Sequence, residues 1–154
     1  MRREILTMLA VLTCQPAFAS GGIHCSADAG GVTIDVGGGV THGMGGPLFS
    51  FEGKLEIADK AIAADLGETA FAREHVAQYW LDGEDLRLLL YREREGDKPH
   101  GYVELTIQTT ARGGDDGEGF YDGRYKLSVF DATEENGGEG VTVEREGEVV
   151  CSAE

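Results

Sequence analysis

The chain has 154 residues, 41% hydrophobic, 27% charged and 8% aromatic, which is the size and make-up of one ordinary globular domain. Its 13 Lys and Arg against 28 Asp and Glu give a formal charge of −15, a field that repels phosphates and anionic headgroups. Nucleic acid and acidic membranes are therefore poor partners, while a basic protein or a small ligand remains open.

At the start of the chain, Arg2 and Arg3 precede the apolar run 5–12, and Ala17-Phe18-Ala19 forms a small-x-small cleavage site. Residues 1–19 read as a secretory signal peptide and residues 20–154 as a single β domain, periplasmic or secreted. The apolar run is well short of the ~20 residues that cross a bilayer, so no transmembrane segment is expected. Cys14 follows Val11-Leu12-Thr13, a poorer lipidation signal than the Ala-Phe-Ala site downstream.

Without Cys14 the remaining cysteines are Cys25 and Cys151, an even pair in an exported chain, and a disulfide between them is expected. Closing so long a loop favours the fold by about 3 to 5 kcal/mol in the chain-entropy description. It also makes the first and last segments of the mature chain neighbours. No Cys-x-x-Cys spacing points to redox or metal chemistry.

Val32, Ile34 and Val36 alternate as a half-buried strand does, and the glycine-rich stretch from Gly37 to Pro47 reads as a loop. Phe49, Phe51, Leu55 and Ile57 form a second alternating set, with Gly53 on the same face marking a bulge or close packing. From Asp59 to Leu66 the pattern turns helical: Asp59 can cap, Ile62 and Leu66 are four apart, and Gly67 can end the turn. Next, two apolar runs flank Asp82-Gly83-Glu84-Asp85, the signature of a β-hairpin. A four-residue loop sets Leu81 opposite Leu86 and Tyr79 opposite Leu88. It places Ala77, Tyr79, Leu81, Leu86, Leu88 and Leu90 on one face and Val76, Trp80, Arg87, Leu89 and Tyr91 on the other.

Three further alternating sets follow: Val103, Leu105 and Ile107; Tyr125, Leu127 and Val129; then Val141 and Val143, with Val149 leading into Cys151. The fold expected is all-β, about eight mostly antiparallel strands in an up-and-down barrel or closed sandwich, with one short helix near residues 59–66.

Chemical motifs are sparse. The loop from Gly37 to Pro47 lacks the Gly-Lys-Ser/Thr end of a phosphate loop. Gly113-Gly114-Asp115-Asp116-Gly117-Glu118-Gly119 offers oxygen ligands of the kind calcium takes, but it matches no calcium-binding spacing and reads first as a solvated hairpin loop. His24, His42, His75 and His100 are scattered, so no metal or cofactor is implied. There is no nucleophile elbow, and an envelope hydrolase built on two carboxylates stands third among the readings. Trp80, the single tryptophan, shares its face with Arg87 and Tyr91, residue types that anchor interfaces, and Arg87 is placed to stack on the indole. The alternative is that this face is a second layer of core.

In outline, an exported, acidic small β-barrel with Cys25 and Cys151 near its ends resembles the periplasmic inhibitors of C-type lysozyme. The likeness implies a basic wall-degrading enzyme as target. It covers architecture alone: those inhibitors carry a Ser-Gly-x-x-Tyr loop, where this chain has Asp122-Gly123-Arg124-Tyr125, and no site residue transfers. The Gly-x-Trp signature of lipocalins is also missing, since Trp80 lies mid-chain. The expectation is a non-enzymatic binding protein, with inhibition of a basic cell-wall-degrading enzyme as the alternative.

Overall fold

A computed structural model describes residues 20–41, 48–114, 119–132 and 139–154. The elements are β1 (Ser20–Ala29), β2 (Val32–Thr41), β3 (Leu48–Ile57), α1 (Ala64–Gly67), β4 (Glu68–Ala72), a 3₁₀ turn (Arg73–His75), β5 (Val76–Leu81), β6 (Asp85–Glu93), β7 (Gly101–Ala111), β8 (Phe120–Asp131) and β9 (Val141–Ala153). All nine strands pair antiparallel in one sheet of order β4-β3-β2-β1-β9-β8-β7-β6-β5. Two meanders, β1–β4 and β5–β9, meet at the β1–β9 ladder and curl into a nearly closed barrel.

The terminal strands β4 and β5 are consecutive in the chain but share no ladder. The 3₁₀ turn joins them, and Arg92 Nη1 on β6 donates to the Ala70 carbonyl on β4. Short edges tied off by side chains in this way offer little to a passing strand.

The alternating sets line the interior as expected: Val32, Ile34 and Val36; Leu86, Leu88 and Leu90; Val103, Leu105 and Ile107; and Tyr125, Leu127 and Val129 are all buried. Leu81 pairs with Leu86 and Tyr79 with Leu88, the register that a four-residue loop demands. Cys25 and Cys151 form the disulfide, directly opposite each other in the β1–β9 ladder with Cα atoms 4.0 Å apart. That ladder is only four pairs long, from Ile23↔Ala153 to Ser26↔Val150. A disulfide fits an oxidising compartment. Among the described residues no helix is long and apolar enough to cross a membrane.

The strands among the described residues number nine, in keeping with the about eight expected: β1 and β4, both poor in large apolar residues, also pair, and the stretch from Val141 to Cys151 is one continuous strand. Other expectations are corrected. The glycines read as the start of a loop continue β2 through Gly37, Gly38 and Gly39. They are packed rather than loose: a Cβ on Gly37 would lie 2.8 Å from the Ile23 carbonyl, and one on Gly39 would clash with the outer edge of the Phe49 ring.

The irregularity in β3 falls at Ser50, which has φ +47°, rather than at Gly53. An extra residue there turns Leu48 inward and leaves Phe49 40% exposed. Gly53 supplies close packing instead, since a Cβ there would meet Val36 Cγ1 at 2.7 Å. A bulge between Val76 and Gln78 likewise reverses the first residues of β5, so that Val76 packs on the core and Ala77 is exposed. The expected helix shortens to the single turn of α1, preceded by a turn in which Asp59 Oδ1 accepts from the Ala61 amide at 2.9 Å.

The segment from Asp59 to Gly67 closes one end of the barrel and buries Ile62 and Leu66. Polar groups from distant strands hold it. Arg145 on β9 pairs with Asp59, and Asp131 at the end of β8 accepts from the Ala63 amide at 2.8 Å. Arg94, beyond β6, reaches Asp131 at 3.0 Å and Asp65 at 2.9 Å, and Lys98 reaches Asp65 at 3.1 Å. Burial alone would raise the Asp65 carboxyl, but the hydrogen bonds and charges of Arg94 and Lys98 outweigh it and hold it below its ordinary value. The signal-peptide assignment lies outside the described residues, as do residues 42–47 and, within the acidic loop, residues 115–118.

Candidate binding face

A barrel whose inner face is filled by Leu, Ile and Val side chains directs recognition to its outside. The outward positions of the two halves differ. On β2 and β3 they carry Thr33, Asp35, Glu52, Lys54 and Glu56, all exposed. On β5 to β8 they include Trp80, Leu89, Tyr91, Tyr102 and Phe130.

The β5–β6 hairpin builds one end of this face. Asp82 Oδ1 accepts from the amides of Glu84 at 3.0 Å and Asp85 at 2.8 Å, the local side-chain turn that aspartate favours, while Gly83 takes φ +93°. The other carboxylate oxygen accepts from Trp80 Nε1 at 3.0 Å. The Asp85 amide, the indole N–H and the Glu84 amide together hold the Asp82 carboxyl below its usual range. Trp80 is thereby oriented while 58% exposed, so the face is not a second layer of core at this point. Arg87 stands directly across from Trp80 in the ladder, as expected, but its guanidinium is engaged by Asp85 at 2.7 Å.

Tyr91 belongs to a second cluster, four residues or about 13 Å further along β6. Its ring centre lies 5.6 Å from that of Tyr102, which stacks at 5.7 Å and 21° on Phe130, its cross-strand partner. His100 closes the group at 5.7 Å from Phe130. The Tyr91 hydroxyl donates to Glu93 Oε1 at 2.8 Å. That bond first, then burial and the charges of Glu93 and Glu104, push the phenol up to about 12.

Sequence reasoning placed Trp80 with Arg87 correctly and left Tyr91 without its neighbours. The missing residues had a visible signal. Tyr102 and Phe130 stand at the outward parity of the strands whose inward sets begin at Val103 and end at Val129. Leu89, half-buried between the two clusters, makes the outward apolar positions one diagonal stripe from Trp80 on β5 to Phe130 on β8.

Two carboxylates, Asp65 and Asp131, are drawn together by one cation. Both face Arg94, and Asp131 is 0% exposed, out of reach of a substrate. Among the described residues no three His, Cys, Asp or Glu are clustered as metal ligands. Compared with models of known families, with characterised proteins and with solved structures, the chain matches none.

Proposed function

We propose that the chain is an exported, non-enzymatic binding protein that holds a partner on the outer face of β5 to β8, with Trp80, Arg87 and Tyr91 in the contact. The observation that carries this reading is Trp80, a large aromatic side chain left in water and fixed by its indole N–H on Asp82. An oriented, amphipathic ring of this kind loses little conformational freedom on contact and is the residue type richest in interface energy. The N-terminal arginines, apolar run and Ala-Phe-Ala site, together with the disulfide, support a periplasmic or secreted location.

The test is site-specific photo-cross-linking in the producing cell. p-Benzoylphenylalanine replacing Trp80 yields a discrete adduct, whereas the same group replacing Glu56, on the outer face of β3, yields none. Absence of any adduct from position 80 overturns the assignment. A second reading, inhibition of a basic wall-degrading enzyme, is favoured by the −15 charge. It predicts binding that weakens steeply with salt, and salt-independent binding excludes it.

A further inference from the structure

The diagonal stripe across β6, β7 and β8 is not neutral ground. Glu93 and Glu104 flank Tyr91 and Tyr102 in the ladder, and Glu144 on β9 faces Ser128 beside Phe130. Among the described residues, the ion pairs engage Arg87 with Asp85 and Arg124 with Glu146 and leave Glu93, Glu104 and Glu144 with no basic group within 4.0 Å, although Lys126 and Arg145 line the same shallow depression as Glu104 and Glu144. The Tyr91 phenol is raised first by its hydrogen bond to Glu93 and by burial, with the charges of Glu93 and Glu104 adding to it. Packed rings carry a negative face, and carboxylates beside them deepen its attraction for ammonium and guanidinium groups.

We infer that this stripe is a docking strip for an extended segment of a basic protein, whose Lys or Arg side chains lie over Tyr91, Tyr102 and Phe130 while Glu93, Glu104 and Glu144 supply the opposing charge. The inference rests on the binding reading above and adds the chemistry of the partner. From Trp80 to Phe130 the stripe crosses three strand spacings and about six residues of strand, so it runs about 24 Å along the surface. That length matches about seven residues of extended peptide. The outer face of β2 and β3 is acidic too, at Asp35, Glu52 and Glu56, but its exposed ring, Phe49, stands in no aromatic pair among the described residues, so charge alone does not select the strip.

The experiment is an amide-resolved NMR titration of the full chain with the capped octapeptide (Arg-Ser)4, with chitohexaose as a neutral sugar control. The peptide is expected to shift amides of 78–81, 87–93, 100–104 and 128–130 together, with an affinity at least fivefold weaker at physiological salt than at low salt. Tyr102→Ala, which leaves every charge in place, weakens binding about fivefold. The double change Glu52→Gln and Glu56→Gln removes two charges elsewhere and alters affinity less than twofold. Tyr91→Leu makes the same comparison should Tyr102→Ala fail to fold.

Shifts spread evenly over β1 to β4, or equal losses in both sets of variants, overturn the inference in favour of charge alone. Chitohexaose shifting the same amides overturns the cationic partner and leaves the binding face standing. No shift on β5 to β8 from either probe overturns the inference. It overturns the binding reading as well only if position 80 also fails to cross-link.

Discussion

Replacing Asp131 by Ala tests whether the segment that closes the barrel end is held there by charge. Asp131 is 0% exposed and the Arg94 side chain 5%, so their pair at 3.0 Å lies out of water. Removing one member of a buried pair leaves the other charged and uncompensated, at a cost of about 3–5 kcal/mol. Asp65 keeps its contacts to Arg94 at 2.9 and 3.3 Å, which brings the expected loss to the lower end, about 3 kcal/mol. The Ala63 amide also loses its acceptor, about 1 kcal/mol more. Asp131→Asn keeps an oxygen for that amide but still removes the charge, so it recovers only the amide's share and costs about 3 kcal/mol. For a domain of this size, Asp131→Ala lowers Tm by about 10–15 °C. Trp80 is too exposed to report the core, so the assay is urea unfolding followed by far-ultraviolet circular dichroism with the disulfide intact. An Asp131→Ala variant within about 0.5 kcal/mol of the parent refutes the argument, because the buried charge would then be indifferent to its partner.

Exchanging Cys25 and Cys151 together for Ser destabilises the fold by about 3–5 kcal/mol, read as a lower urea midpoint; a change under 1 kcal/mol means the four-pair ladder holds the ends unaided. Gly53→Ala drives a methyl against Val36 Cγ1 in the core and costs about 1–3 kcal/mol, whereas a neutral result shows that β2 and β3 can separate there. The Asp65 carboxyl titrates below 3.8 in the fold, so its stabilisation is complete above that value and is lost as pH falls through the lower folded value. The parent therefore loses stability more steeply than Asp65→Asn as pH falls below about 4, and parallel slopes contradict the pairing with Arg94 and Lys98.

Much of the architecture was legible because one buried face forces side chains into a period of two. The hairpin register is the clearest case: only Leu81 opposite Leu86 keeps every leucine of that face inside. The disulfide was legible by elimination, since reading residues 1–19 as a signal peptide leaves only Cys25 and Cys151. What failed to show in advance is where that period slips by one. The extra residue at Ser50 exchanges Leu48 for Phe49, and the bulge at Val76 exchanges it for Ala77, because local backbone geometry overrides parity. The glycines of β2 read as loop because they lack side chains, and it is their neighbours, Ile23 and Phe49, that require the gap. The cluster of Asp65, Arg94 and Asp131 was invisible for another reason. Its members lie on three separate segments, and a single charged residue in an acidic chain carries no mark of its partner. The candidate face stands between these cases: Trp80 and Arg87 are legible as a pair across one hairpin, whereas Tyr102 and Phe130 join it only through pairing with strands distant in sequence.

The position of the disulfide also decides how the protein meets mechanical load. Cys25 lies on the fifth residue after Ser20, and Cys151 lies two residues before Ala153, on strands that run side by side. A pull transmitted along the chain from outside that pair peels these few terminal residues and then meets a covalent bond. The 126-residue interval between the cysteines is short-circuited. Tension passes from one end of the polypeptide to the other without loading the hairpin of Trp80, the strands of the aromatic stripe or the plugged barrel end, all of which stay slack while the link is oxidised and become part of the load path once it is reduced.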